Sequence, residues 1–128
     1  MTQVLLDTHA VVWWLEAKEN LSRKAKQIIE ESETTVFVSA ASGWELAIKT
    51  QIGKFKSAEL VRGLEREIEK EGFIELPISM EHALLAGSLD SPHKDPFDRL
   101  LIAQAQVEEV PIVSHDKVFD GFSVRRLW

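Results

Sequence analysis

The sequence contains no cysteine. Disulfides, zinc–thiolate sites and thiol nucleophiles are therefore excluded. Long apolar runs are missing too. The longest, Ala10 to Leu15, is far short of the ~18–20 residues of a membrane span. The N-terminus shows neither a basic stretch nor a signal-like apolar core, so no membrane association is expected and the expected setting is a reduced cytoplasm. Basic residues are in deficit, with 15 Lys plus Arg against 21 Asp plus Glu and a net charge of −6. That balance argues against a simple basic nucleic-acid binder, whose affinity rests on cations neutralising phosphates. It leaves room for an enzyme that meets phosphate through metal ions held by its own carboxylates. Repeats, low-complexity tracts and linkers are absent, as are phosphate-loop and hydrolase-elbow glycine patterns.

What is present reads as one domain over residues 1–128. At 45% hydrophobic and 28% charged residues, the chain has an ordinary globular balance and the length to bury about two-thirds of its unfolded surface. Apolar runs of strand length alternate with helical patterns, which predicts an α/β fold with a mainly parallel central sheet flanked by helices. Val4-Leu5-Leu6 is short and apolar on both faces, as a buried parallel strand is. Thr8 to Ala17 carries a broad apolar stripe of Val11, Val12, Trp14 and Leu15. Asn20 or Ser22 can cap a second helix holding Ala25, Ile28 and Ile29. Thr35 to Val38 is a β-rich second strand. Ser39 then caps a helix of Ala40, Trp44, Ala47 and Ile48 that ends near Gly53.

Ser57 to Glu71 reads as one continuous helix with Leu60, Val61, Leu64 and Ile68 on one face, closed by Gly72. Phe73 to Leu76 is a short third strand stopped by Pro77, and Ser79 opens another helix. After a loop at 91–94, Asp95-Pro96 starts a helix with Leu100, Leu101, Ala103, Ala105 and Val107. Pro111 to Ser114 is a fourth buried strand, and Phe122 to Leu127 a fifth at the edge.

The acids fall at telling places. Asp7 and Asp116 follow the first and fourth strands, the edge where open α/β sheets bind ligands. Their plainer roles are helix cap and turn residue. Glu45 borders an apolar helix face, between Ala41 and Ile48, where an unpaired charge is costly. Asp95 suits an N-cap with Pro96 at the first helical position, and Asp98 the third-position carboxylate favoured by the positive helix end. If that helix starts at the same sheet edge, Asp98 joins Asp7, Glu45 and Asp116 in one acidic cluster. Four carboxylates converging without basic partners raise one another's pKa values unless a cation is present. Oxygen-only donors suit Mg²⁺ or Mn²⁺. A cation there acidifies water for in-line attack on a phosphodiester.

These residues resemble the PIN domain family, specifically the VapC-type toxin ribonucleases of VapB–VapC toxin–antitoxin pairs. The likeness covers nearly the whole chain. It runs from Leu5-Leu6-Asp7-Thr8-His9 and Val12-Trp13-Trp14-Leu15, through Val38-Ser39-Ala40-Ala41-Ser42 and Trp44-Glu45-Leu46. It is most specific from His93 to Ala105, and closes with Ile112 to Asp116 and Phe119-Asp120.

The resemblance implies an α/β sandwich whose acidic pocket, at the C-terminal ends of the strands, binds Mg²⁺ or Mn²⁺ and hydrolyses RNA by metal-activated water. It assigns metal-coordinating or metal-positioning roles to Asp7, Glu45, Asp98 and Asp116. Thr8 and Ser39 fall where members often carry a supporting hydroxyl, and Asp95 and Asp120 are extra acids with capping or supporting roles. The resemblance also implies homodimers and a cognate VapB-type antitoxin whose C-terminal segment lies in an apolar groove. Trp13, Trp14, Trp44 and Phe55 are candidates for lining it, with core packing as their plainer role.

Arg99, beside Asp98, is read as pairing a carboxylate or touching phosphate, and Lys49, Lys54, Lys56, Lys94 and Lys117 as possible guides for an RNA backbone. Other classes have weaker support. A receiver-type domain shows paired acids after the first strand, where Asp7 is followed here by Thr8. A haloacid-dehalogenase phosphatase wants a second Asp where this chain has His9. A non-catalytic partner-binding α/β domain fits the pattern but leaves the four acids unexplained.

Overall fold

The computed structural model describes residues 2–128. Five parallel strands form one sheet in the order β3-β2-β1-β4-β5. The central strand β1 (Thr2–Leu6) pairs with β2 (Thr34–Ser39), Val4 opposite Val36 and Leu6 opposite Val38. On its other side it pairs with β4 (Ile112–Val113), Leu6 opposite Val113. The edges are β3 (Ile74–Leu76) and β5 (Arg126–Leu127). A strand with neighbours on both sides and helices on both faces has no wet surface, so Val4, Leu5 and Leu6 are fully buried. Removing each such side chain from water contributes about 1.5–3 kcal/mol.

The two-residue alternation of a strand splits the core into two layers. Val4 and Leu6 join Val36, Val38 and Val113 against α1 (Thr8–Glu16), α2 (Arg23–Glu30), α3 (Ala40–Gln51) and α5 (Leu64–Lys70). Leu5 faces the other way with Leu76 and Ile112, under Leu101, Ile102 and Ala105 of α7 (Pro96–Glu108). Helix α6 (Met80–Ser88) lies against α7. Its start is a capping box, in which Ser79 Oγ accepts from the His82 N–H and His82 Nδ1 accepts from the Ser79 N–H. None of the helices among the described residues is long and apolar enough to cross a membrane.

Most expected elements are present within a residue or two, and the departures have local causes. Ser22, not Asn20, caps α2, accepting from the Ala25 N–H at 3.0 Å, while Asn20 ends a 3₁₀ turn, Lys18–Asn20. The single helix expected from Ser57 to Glu71 breaks at Gly63 into α4 (Ala58–Arg62) and α5. Gly63 has no side chain to pack and the largest backbone freedom to lose, so the helix gives way there. Gly72 ends α5 at φ +74°, a conformation glycine adopts without penalty. The fifth strand is shorter than expected. A 3₁₀ turn at Lys117–Gly121 precedes it, and Phe119, Phe122 and Val124 pack beneath α7 instead of pairing.

Candidate active site

Strand β1 is the point from which the sheet grows in both directions. The crevice beyond the carboxyl ends of strands at such a point is where open parallel sheets hold ligands. Asp7 is the first residue past β1, and its N–H donates to the Val113 carbonyl at 3.1 Å. Its Oδ1 accepts from the Ala10 N–H at 2.8 Å, capping α1. Its Oδ2 accepts from the hydroxyl of Ser114, which itself accepts from the N–H of Asp116 at 2.9 Å. Asp116 is exposed and caps the following 3₁₀ turn through Val118. Burial pushes the Asp7 carboxyl up. Ser114, Ala10 and the nearby His9 pull it down, and the charge of Asp116 adds to the rise.

Glu45 is buried on α3 although it carries a charge. The sequence supplies its partners: the Thr8 hydroxyl donates to Oε1 at 2.6 Å, and Lys49, one helical turn on, reaches Oε2 at 2.6 Å. Ser42 shares the Thr8 hydroxyl at 2.9 Å. Thr8 therefore joins the Asp7 side of the crevice to Glu45.

Asp98 sits in the first turn of α7, which Asp95 caps by accepting from the Phe97 and Asp98 N–H groups. The ring Nε2–H of His93 donates to Asp98 Oδ2 at 2.9 Å. Burial raises the Asp98 carboxyl, His93 lowers it, and the charges of Asp95 and Glu45 raise it further. The charge of Asp116 thus acts on Asp7, and those of Asp95 and Glu45 on Asp98, while Thr8, next to Asp7 in the chain, hydrogen-bonds Glu45.

The remaining candidates fall elsewhere. Arg99 pairs with no carboxylate among the described residues. Its guanidinium donates to the carbonyls of Ala86, Leu89, Ser91 and His93, clamping the loop that carries His93 onto α7. The Ser39 hydroxyl caps α3 and donates to Gln104 of α7 at 2.5 Å, reaching no acid. Asp120 binds Arg126 through both oxygens, and this pairing holds its carboxyl below the usual range. Arg126 in turn donates to the Ser114 carbonyl, so Asp120 braces the site at one remove.

The four aromatics do not form one groove. Trp14 is a core residue, its ring against Phe73 and its indole N–H on Glu71 at 2.5 Å. Phe55 packs half-buried on the same core layer. Trp44 is 53% exposed and edges onto Phe97. Trp13 shares a hollow with Asp7 and Asp116, beside His9, His115 and Trp128. Ser114 and His93 were not singled out from sequence. Both lie inside the segments that carry the family resemblance, His93 opening the most specific one, but only the fold shows which acid each one meets.

The donor chemistry fits a hard divalent cation. Carboxylate and hydroxyl oxygens are what Mg²⁺ and Mn²⁺ prefer, and two of the acids are raised by burial and like charge, which a cation relieves. No group of three Asp, Glu or His side chains among the described residues is gathered closely enough to hold an ion. Magnesium does not need one, since it commonly takes one or two carboxylates and completes its shell with water and substrate phosphate.

Comparison with known proteins matches residues 4–124 to the PIN domain. Ribonuclease VapC22 of Mycobacterium tuberculosis is 30% identical over 118 residues, spanning 91% of this chain and 89% of that one. Among solved structures, VapBC2 from Rickettsia felis, bound to a DNA fragment from their promoter, superposes with a TM-score of 0.69 at 15% identity, covering 98% of both chains. VapBC-1 from nontypeable Haemophilus influenzae gives 0.69 at 14% identity, covering 98% and 97%. At such identities the structural likeness speaks for the fold, a single sheet-centred domain flanked by helices. Together with a match that omits only the chain's ends, it makes this protein a member of the PIN domain family.

Proposed function

We propose that this protein is a divalent-cation-dependent endoribonuclease, the toxin of a type II toxin–antitoxin pair, and that Asp7, Glu45, Asp98 and Asp116 are its metal-binding and catalytic residues. The observation that supports the reading is that Asp7 and Asp98 are raised by burial and by the charges of Asp116 and Glu45, while Thr8, the chain neighbour of Asp7, hydrogen-bonds Glu45. A domain that only bound a partner has no use for two carboxyls, Asp7 and Asp98, raised chiefly by burial and further by neighbouring acids.

A bound Mg²⁺ or Mn²⁺ supplies positive charge to the phosphate oxygens and acidifies the attacking water. The chain's own residues set the geometry. Ser114 fixes Asp7 and, through the Asp116 N–H, the turn that presents Asp116. Thr8 orients Glu45, and Lys49 and His93 compensate Glu45 and Asp98. The partners proposed are an RNA substrate, a VapB-type antitoxin and a second copy of the chain. The name of the VapC22 relative supports the RNA substrate and the VapBC complexes of the same fold support the antitoxin, while the second copy rests on the family resemblance alone.

The test is to sequence the RNA ends made by purified, partner-free protein with Mg²⁺ and with chelator. Metal-dependent cleavage leaving 5′-phosphate and 3′-hydroxyl ends is expected. A 2′,3′-cyclic phosphate end, or full cleavage in chelator, rules the mechanism out.

A further inference from the structure

We propose that His9, Trp13, His115 and Trp128 form a base-stacking subsite that seats an unpaired RNA base beside the phosphodiester to be cleaved. The proposal rests on the nuclease reading and adds to it where the substrate's base goes.

The placement begins in the sequence. His9 and Trp13 are four residues apart on α1, so they share a face of the helix that Asp7 caps. His115 immediately precedes Asp116, and Trp128 follows the last residue of β5 beside β4. The fold brings these tethered rings together. Ring centroids are 5.6 Å apart for His9 and Trp13, 5.9 Å for Trp13 and Trp128, 5.5 Å for His115 and Trp128, and 6.4 Å for Trp13 and His115.

Two features distinguish this cluster from core packing. His9 and His115 are exposed, while Trp13 and Trp128 lean on the core with one side. Three of the rings also share a hollow with two of the acids, and Trp128 packs behind them. A cavity of about 310 Å³ is lined by Asp7, His9, Trp13, His115, Asp116 and Lys117, a volume at the small end of ligand sites.

Aromatic faces and a single cation on a chain of net charge −6 suit a planar, uncharged group joined to a phosphate. Single-stranded RNA is bound by stacking its splayed bases on Trp, Phe and His rings, with Lys or Arg along the backbone. A phosphate held at Asp7 and Asp116 through the cation of the nuclease reading leaves the attached base at this shelf. An acidic peptide, by contrast, has no planar base to stack on the rings.

The experiment measures binding of a short single-stranded RNA with non-hydrolysable phosphate linkages, in Mg²⁺ so that the cation is kept and no cleavage intervenes, by wild type and by paired variants at the exposed rings. His9→Ala with His115→Ala is expected to weaken binding about five- to a hundred-fold. His9→Phe with His115→Phe, which keeps the rings and removes the imidazoles, should restore it to within about twofold of wild type. RNA carrying an abasic site at the seated position should bind wild type as weakly as intact RNA binds the alanine pair. With Mg²⁺, the alanine pair should raise KM more than it lowers kcat. Equal binding by wild type and the alanine pair, or by intact and abasic RNA, overturns the proposal. So does a loss confined to a co-purified partner protein, which would assign the shelf to that partner. Wild type that cleaves RNA yet ignores ring removal defeats this inference alone. Wild type that cleaves no RNA with Mg²⁺ defeats the nuclease reading beneath it.

Discussion

The hydroxyl of Ser114 donates to Oδ2 of Asp7 across the crevice between β4 and β1. The two residues are 107 positions apart in the chain. Ser114 has no solvent exposure, and its oxygen also receives the Asp116 N–H. One small side chain thus sets both Asp7 and Asp116. Ser114→Ala should lower RNA cleavage by at least tenfold and reduce stability by roughly 1–3 kcal/mol, the cost of leaving buried polar groups unpaired. Cleavage rates and urea unfolding of the same preparation measure the two effects separately.

The acids should show themselves through pH. Asp7 and Asp98 have carboxyls raised above their usual 3.8, chiefly by burial. Above 3.8 the folded state therefore holds protons that the unfolded chain has released. Their contribution to stability is complete below the unfolded value and is lost as pH rises through the folded values. Asp7→Asn removes this loss at one site. In chelator, the unfolding midpoint of Asp7→Asn minus that of wild type should become more positive from about pH 4 to about pH 7. A flat difference would contradict burial as the cause.

Metal binding should be visible without RNA. A ligand that binds only the folded state stabilises it by about 1.4 kcal/mol at roughly tenfold excess over Kd. Mg²⁺ or Mn²⁺ should raise the Tm of wild type by a few degrees, while Asp7→Asn and Asp98→Asn should each lose most of that shift and all but a trace of cleavage. An equal Tm shift in either variant would remove that residue from the cation site.

Arg99 gives a prediction about positioning. Its donors hold four carbonyls of the segment from α6 to His93. Lysine has the charge but not the planar fork. Arg99→Lys should cost about 2 kcal/mol. It should also speed amide hydrogen exchange in residues 89–94 and lower cleavage through the loss of His93 from Asp98. Unchanged exchange in that loop would show that the clamp is dispensable.

Gln104 tests the core. It is fully buried in α7, where its amide accepts from Ser39 and donates to the Pro77 carbonyl at 3.2 Å. Gln104→Met keeps the volume but strands the Ser39 hydroxyl and a carbonyl. A loss of roughly 1–3 kcal/mol is expected in denaturant unfolding, with little change in the cation-induced Tm shift.

Much of the fold was legible along the chain, because local rules governed it. Val4-Leu5-Leu6 is apolar on both faces, and only a central strand with two covered faces satisfies that pattern. Ser22, Ser39, Ser79 and Asp95 each cap the helix that follows them, as short polar side chains do. Gly63 was harder. Whether a glycine is carried through a helix or breaks it depends on the packing around it, which one segment does not reveal. Arg99 was misleading for the opposite reason: its neighbour Asp98 invited an ion pair, but the loop folded back over the guanidinium and offered carbonyls instead.

The order of residues along the chain is enough to specify an α/β domain with a parallel sheet, with acids after the first and fourth strands and at the start of the last long helix. Period, caps and strand-end positions are properties of neighbouring residues. Which groups surround those acids is settled in the folded chain. Folding brings the charge of Asp116 to bear on Asp7 and those of Asp95 and Glu45 on Asp98, supplies Ser114, Thr8 and His93 as hydrogen-bond partners, and sets Trp13 beside Asp7 and Asp116 while burying Trp14 in the core. The reason is physical. A carboxylate's environment is made by groups from distant segments that the sheet order brings to one edge, and that order is stabilised by the core as a whole.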